Sequence, residues 1–127
     1  MSQLLLDTHA FLWWLTDSPK LGDEARTAIG ETSSLVYVSA ASIWEIAIKA
    51  RLGKVDPGTK HLDKEIASNG FSELKISAQH ALTAGNLPLH HDDPFDRMLI
   101  AQGQLEGLTI VTHDKAFAAY KVRVLWT

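Results

Sequence analysis

Short apolar runs alternate with mixed segments along the chain, and this alternation predicts strand and helix in turn. "QLLLD" (residues 3–7) is an apolar run of the kind a buried parallel strand shows, although three leucines alone fit a helix too. "HAFLWWL" follows with helical character, and "SPKL" breaks it at Pro19. Residues 22–31, "GDEARTAIGE", read as a short helix with acids in its first turn. "SLVYVSA" (34–40), rich in β-branched and aromatic residues, reads as the second strand. A longer helix is predicted over 41–52, ending at Gly53, where a C-terminal glycine belongs.

The second half repeats the rhythm. "HLDKEIASNG" is expected to be helical up to Asn69-Gly70, "FSELKIS" (71–77) to be a third strand, and "AQHALTAGNL" to be helix. A helix over 94–106 opens at Pro94 and closes at Gly107. "LTIVTHD" (108–114) gives a fourth strand, "KAFAAY" a short helix and "VRVLW" a closing strand. Alternation of this kind predicts an α/β fold, a three-layer α/β/α sandwich around a parallel sheet. Sites in such sheets form beyond the carboxyl ends of the strands.

Composition narrows the picture. At 127 residues the chain is expected to be a single domain, 1–127, and 46% hydrophobic content is enough for a core. A formal charge of −3 argues against a basic protein that coats nucleic acid. The absence of cysteine excludes disulfides and thiolate metal sites. No apolar run approaches the ~20 residues of a membrane helix, so a soluble, cytoplasmic protein is expected.

Candidate chemistry lies in the acids. Asp7 and Asp114 each stand at the carboxyl end of a predicted strand, where each could also cap the following helix. Glu45 has capping-box spacing from Ser42 and i,i+4 spacing to Lys49. It borders a helical arc of Trp44, Ile48 and Leu52, and by itself reads as a surface residue. In "HHDDPFDRMLIAQ" (90–102), Asp93 is a good N-cap before proline at the first helical position. Capping explains Asp96 less well. At 100° per residue Asp96 falls inside the apolar arc with Phe95, Leu99, Ile100 and Gly103, while Arg97 and Gln104 point outward. A carboxylate there calls for a cation.

If Asp7, Glu45, Asp96 and Asp114 converge, their like charges raise one another's pKa and destabilise the fold. Hard oxygen donors favour Mg²⁺ or Mn²⁺ over zinc as the cation that removes this penalty. Carboxylate-held metals roughly 3.5–4 Å apart activate water and stabilise the leaving oxygen of a phosphodiester. His9, His90, His91 and His113 flank the acids without ligand spacing, so they read as loop or edge residues, with His9 and His113 as minor candidates for substrate contact. Thr8 and Thr112 are candidates for orienting a water or for turn hydrogen bonds. One of the adjacent Trp13 and Trp14 is expected to be partly exposed. Lys49, Arg51, Lys54 and Lys60 form either a solvated face or a basic edge for RNA.

Taken together, "LLLDTHAFLWWL", "SAASIWEIAIKARLGK", "HHDDPFDRMLIAQ", "LTIVTHD" and the terminal "VRVLW" resemble a PIN domain, specifically the VapC-like toxin ribonucleases. Four separated blocks in order, each carrying one acid, make the resemblance specific. It implies an α/β/α sandwich and an Mg²⁺- or Mn²⁺-dependent endoribonuclease. Asp7, Glu45, Asp96 and Asp114 would be its acidic quartet of catalytic metal ligands, and Asp93 an accessory acid. It further implies a homodimer and an antitoxin partner (VapB-like) that inserts a basic side chain into the acidic pocket. A non-catalytic PIN-like binding module and a metal-dependent DNase remain as alternatives. A phosphoaccepting receiver domain and a phosphatase of the DxD type fit poorly, because Asp7 is followed by Thr8 and His9.

Overall fold

The computed structural model describes residues 2–127. Its centre is a parallel sheet of β1 (Gln3–Leu6), β2 (Leu35–Ser39), β3 (Ser72–Leu74), β4 (Thr109–Thr112) and β5 (Val124–Trp126). The strands lie in the order β3-β2-β1-β4-β5. Helices α1 (Thr8–Leu15), α2 (Asp23–Gly30), α3 (Ala40–Arg51), α4 (Leu62–Ser68), α5 (Ala78–Asn86) and α6 (Pro94–Glu106) connect them. A 3₁₀ turn, Lys115–Ala119, links β4 to β5.

The three leucines of β1 show how the layers arise. The two-residue period of a strand sends Leu4 and Leu6 to one face and Leu5 to the other. Leu4 and Leu6 pack with Phe11, Ile29, Ile46 and Ile66, from α1 to α4. Leu5 packs with Ala84, Leu99 and Ile100 of α5 and α6, and with Phe117. A strand buried on both faces reads as a continuous apolar run, which is why "LLL" carries no alternation. The result is the expected α/β/α sandwich.

Two elements are shorter than their patterns. β3 pairs only where Tyr37–Ser39 lies alongside, and at the sheet's edge it has no second neighbour to extend it. "KAFAAY" forms its short helix as the 3₁₀ turn, which stops at Ala119. Gly103 lets α6 sit close on β4: a Cβ there would stand 2.9 Å from Ile110 Cδ1 and 3.0 Å from Val122 Cγ2. Gly107, at φ +67°, takes the left-handed conformation that ends α6.

The topology locates the site. From β1 the chain steps to β2 on one side, whereas β4 lies on the other. The carboxyl ends of β1 and β4 are therefore neighbours at a switch point, the usual place for a crevice in such sheets. Among the described residues, no helix is long and apolar enough to cross a membrane.

Candidate active site

Asp7 follows β1 directly and caps α1. Its Oδ1 accepts the Ala10 amide at 2.8 Å, and its Oδ2 accepts the Thr112 hydroxyl at 2.6 Å. Asp114, two residues past β4, caps the 3₁₀ turn by accepting the Ala116 amide at 2.9 Å. Asp93 caps α6, its Oδ1 accepting from the Phe95 and Asp96 amides at 2.8 and 3.2 Å. Each local reading of these three as caps holds. Capping places a carboxylate at a strand's end and leaves oxygen lone pairs for other partners.

Glu45 is positioned differently. The capping box with Ser42 does not form, because Ser39 caps α3. Ser42 is fully buried, and Glu45 is only 4% exposed. The wheel is turned from its expected setting: Trp44 and Leu52 are each 62% exposed, while Ala41, Ser42, Glu45 and Ile46 face inward. The reason is size. Small Ala41 and Ser42 let α3 approach its neighbours, and the Thr8 hydroxyl of α1 reaches across to Glu45 Oε1 at 2.6 Å. The expected i,i+4 pair is present, Lys49 Nζ donating to Glu45 Oε2 at 2.8 Å.

These side chains share one cleft of about 570 Å³, lined by Asp7, Glu45, Asp93, Asp96 and Asp114 together with Thr8, His9, Trp13, Lys49, His91, His113 and Lys115. All four members of the quartet thus line one cleft, though among the described residues the group whose ligand atoms lie within 4.8 Å of one another is His91, Asp96 and Asp114, without Asp7 or Glu45. Burial pushes the Asp7 carboxyl above its usual range, against the Thr112 and Ala10 hydrogen bonds that lower it. Burial also lifts Asp96, aided by the charges of Asp93, Asp7 and Glu45, to about 7. Lys49 is shifted up, chiefly by its hydrogen bond to Glu45. Five carboxylates against Lys49 and Lys115 give the cleft an excess of acids.

Asp96 meets a hydrogen-bonding partner in place of the expected cation, His91, which the sequence did not distinguish from its neighbours. Its Nε2 lies 2.9 Å from Asp96 Oδ2 and 3.0 Å from Asp114 Oδ2. The Asp93 amide donates to its Nδ1 at 3.3 Å, so the ring's proton belongs on Nε2, facing both carboxylates. His90 turns away to meet Tyr120 edge-on at 5.2 Å. Only the fold-back of residues 88–93 separates two adjacent histidines in this way. Arg97, expected to point outward, is buried at 8% exposure. Its guanidinium donates to the carbonyls of Pro88, His91, Ala84 and Leu87, tying that fold-back to α6. Thr112 makes the expected turn hydrogen bond, accepting the Asp114 amide at 3.0 Å, and also donates to Asp7. Of the basic residues, Lys49 and Lys54 line this cleft or the hollow beside it.

The donor set fits a divalent cation. Carboxylate oxygens are the ligands that Mg²⁺ and Mn²⁺ take, and Asp96, raised first by burial and then by its acidic neighbours, carries a charge penalty that such an ion relieves. His91, Asp96 and Asp114 also offer ligand atoms within 4.8 Å of one another.

Comparison with known proteins agrees with this architecture. The chain is 26% identical over 132 residues to ribonuclease VapC22 of Mycobacterium tuberculosis, covering 95% of this chain and 94% of that one. Its fold is similar to VapBC2 from Rickettsia felis bound to a DNA fragment from its promoter, with TM-score 0.70 at 12% identity and 98% of both chains covered. DNA-bound VapBC from Salmonella typhimurium is similar at TM-score 0.69 and 18% identity, covering 99% of this chain and 98% of that one. The PIN domain family model matches residues 4–122, and on that match the chain belongs to the PIN domain family.

Proposed function

We propose that this protein is an Mg²⁺- or Mn²⁺-dependent endoribonuclease, the toxin of a toxin–antitoxin pair. The observation that carries the reading is the gathering of Asp7, Glu45, Asp96 and Asp114, from four separate elements, in one cleft at the strands' carboxyl ends. Similarity to a ribonuclease over nearly the whole chain supports it.

In this reading Asp7, Glu45, Asp96 and Asp114 hold the metal, with Asp7 and Asp96 as the principal ligands. When bound, the metal supplies the positive charge that activates a water and stabilises the leaving oxygen of the phosphodiester. The chain's own groups prepare the place. Thr112 and the Ala10 amide fix both oxygens of Asp7 in direction, and Thr8 and Lys49 do the same for Glu45. Such bonds hold the carboxylates in position without reorganisation. His91 keeps a proton on Nε2 between Asp96 and Asp114, which limits their repulsion.

The partner belongs to the same reading. The similarity in fold to VapBC complexes supports a VapB-like antitoxin, and an acidic cleft accepts an inserted basic side chain. The exposed apolar face of α3, Trp44 with Ile48 and Leu52, is available to such a partner or to a second copy in a homodimer. In this reading the protein works in the cytoplasm, on RNA. The test is to offer partner-free protein RNA and DNA strands of the same random sequences in Mn²⁺. Cutting of the RNA with DNA left intact is expected; cutting of DNA alone would make the protein a DNase.

A further inference from the structure

Two adjacent tryptophans of α1 are placed in different surroundings. Trp14 is anchored: its Nε1 donates to Asn69 Oδ1 at 3.0 Å, and its ring packs 5.7 Å from Phe71. Trp13, 100° further round the helix, sits half-buried on the cleft wall. The exposed His9 ring, one turn earlier, is stacked with it at 5.7 Å and 27°. His113, just beyond β4, meets it edge-on at 5.9 Å. Trp13 and His9 line the acidic cleft and also a second hollow of about 390 Å³, whose walls include Thr8, Leu12, Lys49 and Lys54.

We propose that Trp13 and His9 form a stacking platform for a nucleobase of single-stranded RNA, with the second hollow receiving the base next to the phosphate being cut. The inference rests on the nuclease reading above. Core packing accounts for the inner part of Trp13, which touches the apolar cluster beneath the sheet. It does not account for a stacked pair at a junction between two cavities, one rich in carboxylates and one whose charged walls are Lys49, Lys54 and Asp56. A phosphodiester held at the carboxylates must send its flanking bases outward along the walls, and an aromatic wall offers each base the same π-face contact. Lys49 is already paired with Glu45. Lys54 is exposed on the far wall, where an adjoining phosphate would pass.

The experiment measures binding of a fluorescent pool of random-sequence single-stranded RNA octamers to the full chain in Ca²⁺. Trp13→Ala and Trp13→Phe are compared with wild type, and thermal melting confirms that each is folded. Trp13→Ala is expected to weaken binding by about tenfold or more, and Trp13→Phe to stay within about threefold of wild type, since loss of one stacked base is worth ~1–3 kcal/mol. Equal binding by Trp13→Ala and wild type would overturn the platform, and so would Trp13→Phe binding as weakly as Trp13→Ala. Binding that follows the expected order, with no cutting of the pool in Mg²⁺ or Mn²⁺, would overturn the nuclease reading and leave the platform standing.

Discussion

Asp93 and Asp96 lie three positions apart at the start of one helix, yet their surroundings ask different things of them. Asp93 accepts two helix amides, a need that asparagine meets nearly as well. Asp93→Asn should therefore unfold within a few tenths of a kcal/mol of wild type, with Asp93→Ala losing about 1 kcal/mol in the same denaturant titration. Asp96 is lifted to about 7 by burial and by its acidic neighbours. Its folded value stands above its unfolded one, so its contribution to stability is fully present below about pH 4 and disappears as the pH rises through about 7. Asp96→Asn should remove that part of the pH dependence. At pH 8 without metal it should be more stable than wild type by about 1 kcal/mol or more. A clear loss of metal-free stability would return Asp96 to the role of a first-turn acid that favours the helix dipole. Asp7, Asp93 and Asp114 were legible in the sequence because each follows a local rule, a strand end or a cap, and Asp96 because it falls in an apolar arc. Glu45 by itself read as a surface residue and entered the quartet through the family resemblance. His91 was not legible, because its position depends on a fold-back that no local rule describes.

The same contrast governs the elements. Helical periodicity located α3 and α6, and it placed Asp96 inside the apolar arc of α6, where the structure has it half-buried. It misassigned Arg97 and the apolar arc of α3, because a wheel takes the most hydrophobic face as the inner one. Arg97 is drawn inward by carbonyls of the α5 end and the following loop, which are invisible to the wheel of α6. On α3 the inner face is made of small residues and one acid, and the large apolar side chains stand outside. Replacing Arg97 removes a tie that spans from α6 to several carbonyls at once, leaving those carbonyls short of donors. Arg97→Met should lower stability by about 2–4 kcal/mol in urea unfolding, and Arg97→Lys should recover only part of it, because an ammonium cannot reproduce the guanidinium fork. An Arg97→Met variant as stable as wild type would show that the fold-back holds without this tie. Since the same fold-back carries His91, its loosening should also loosen the contact between His91 and the acids.

For the molecule as a whole, the strand order was legible only as a class. Alternating elements imply a parallel sheet, but which strand ends become neighbours is set by crossovers that composition and periodicity do not record. That adjacency brings Asp7 and Asp114 together. A cleft assembled from like charges should make the fold depend on cations. Added Mg²⁺ or Mn²⁺ should raise the melting temperature, and the rise should be larger at pH 8 than at pH 6, because below about 7 a proton competes for Asp96. A melting temperature indifferent to both ions at pH 8 would count against a metal site. The most direct measurement is RNA cleavage by partner-free wild type and Asp96→Asn, prepared in parallel, in Mg²⁺, Mn²⁺ and EDTA. The account predicts cutting by wild type in either metal, none in EDTA, and at least a hundredfold loss in the folded variant. Equal cutting by the variant with metal, or wild-type cutting that persists in EDTA and is absent from the variant, would contradict a metal-dependent nuclease centred on Asp96.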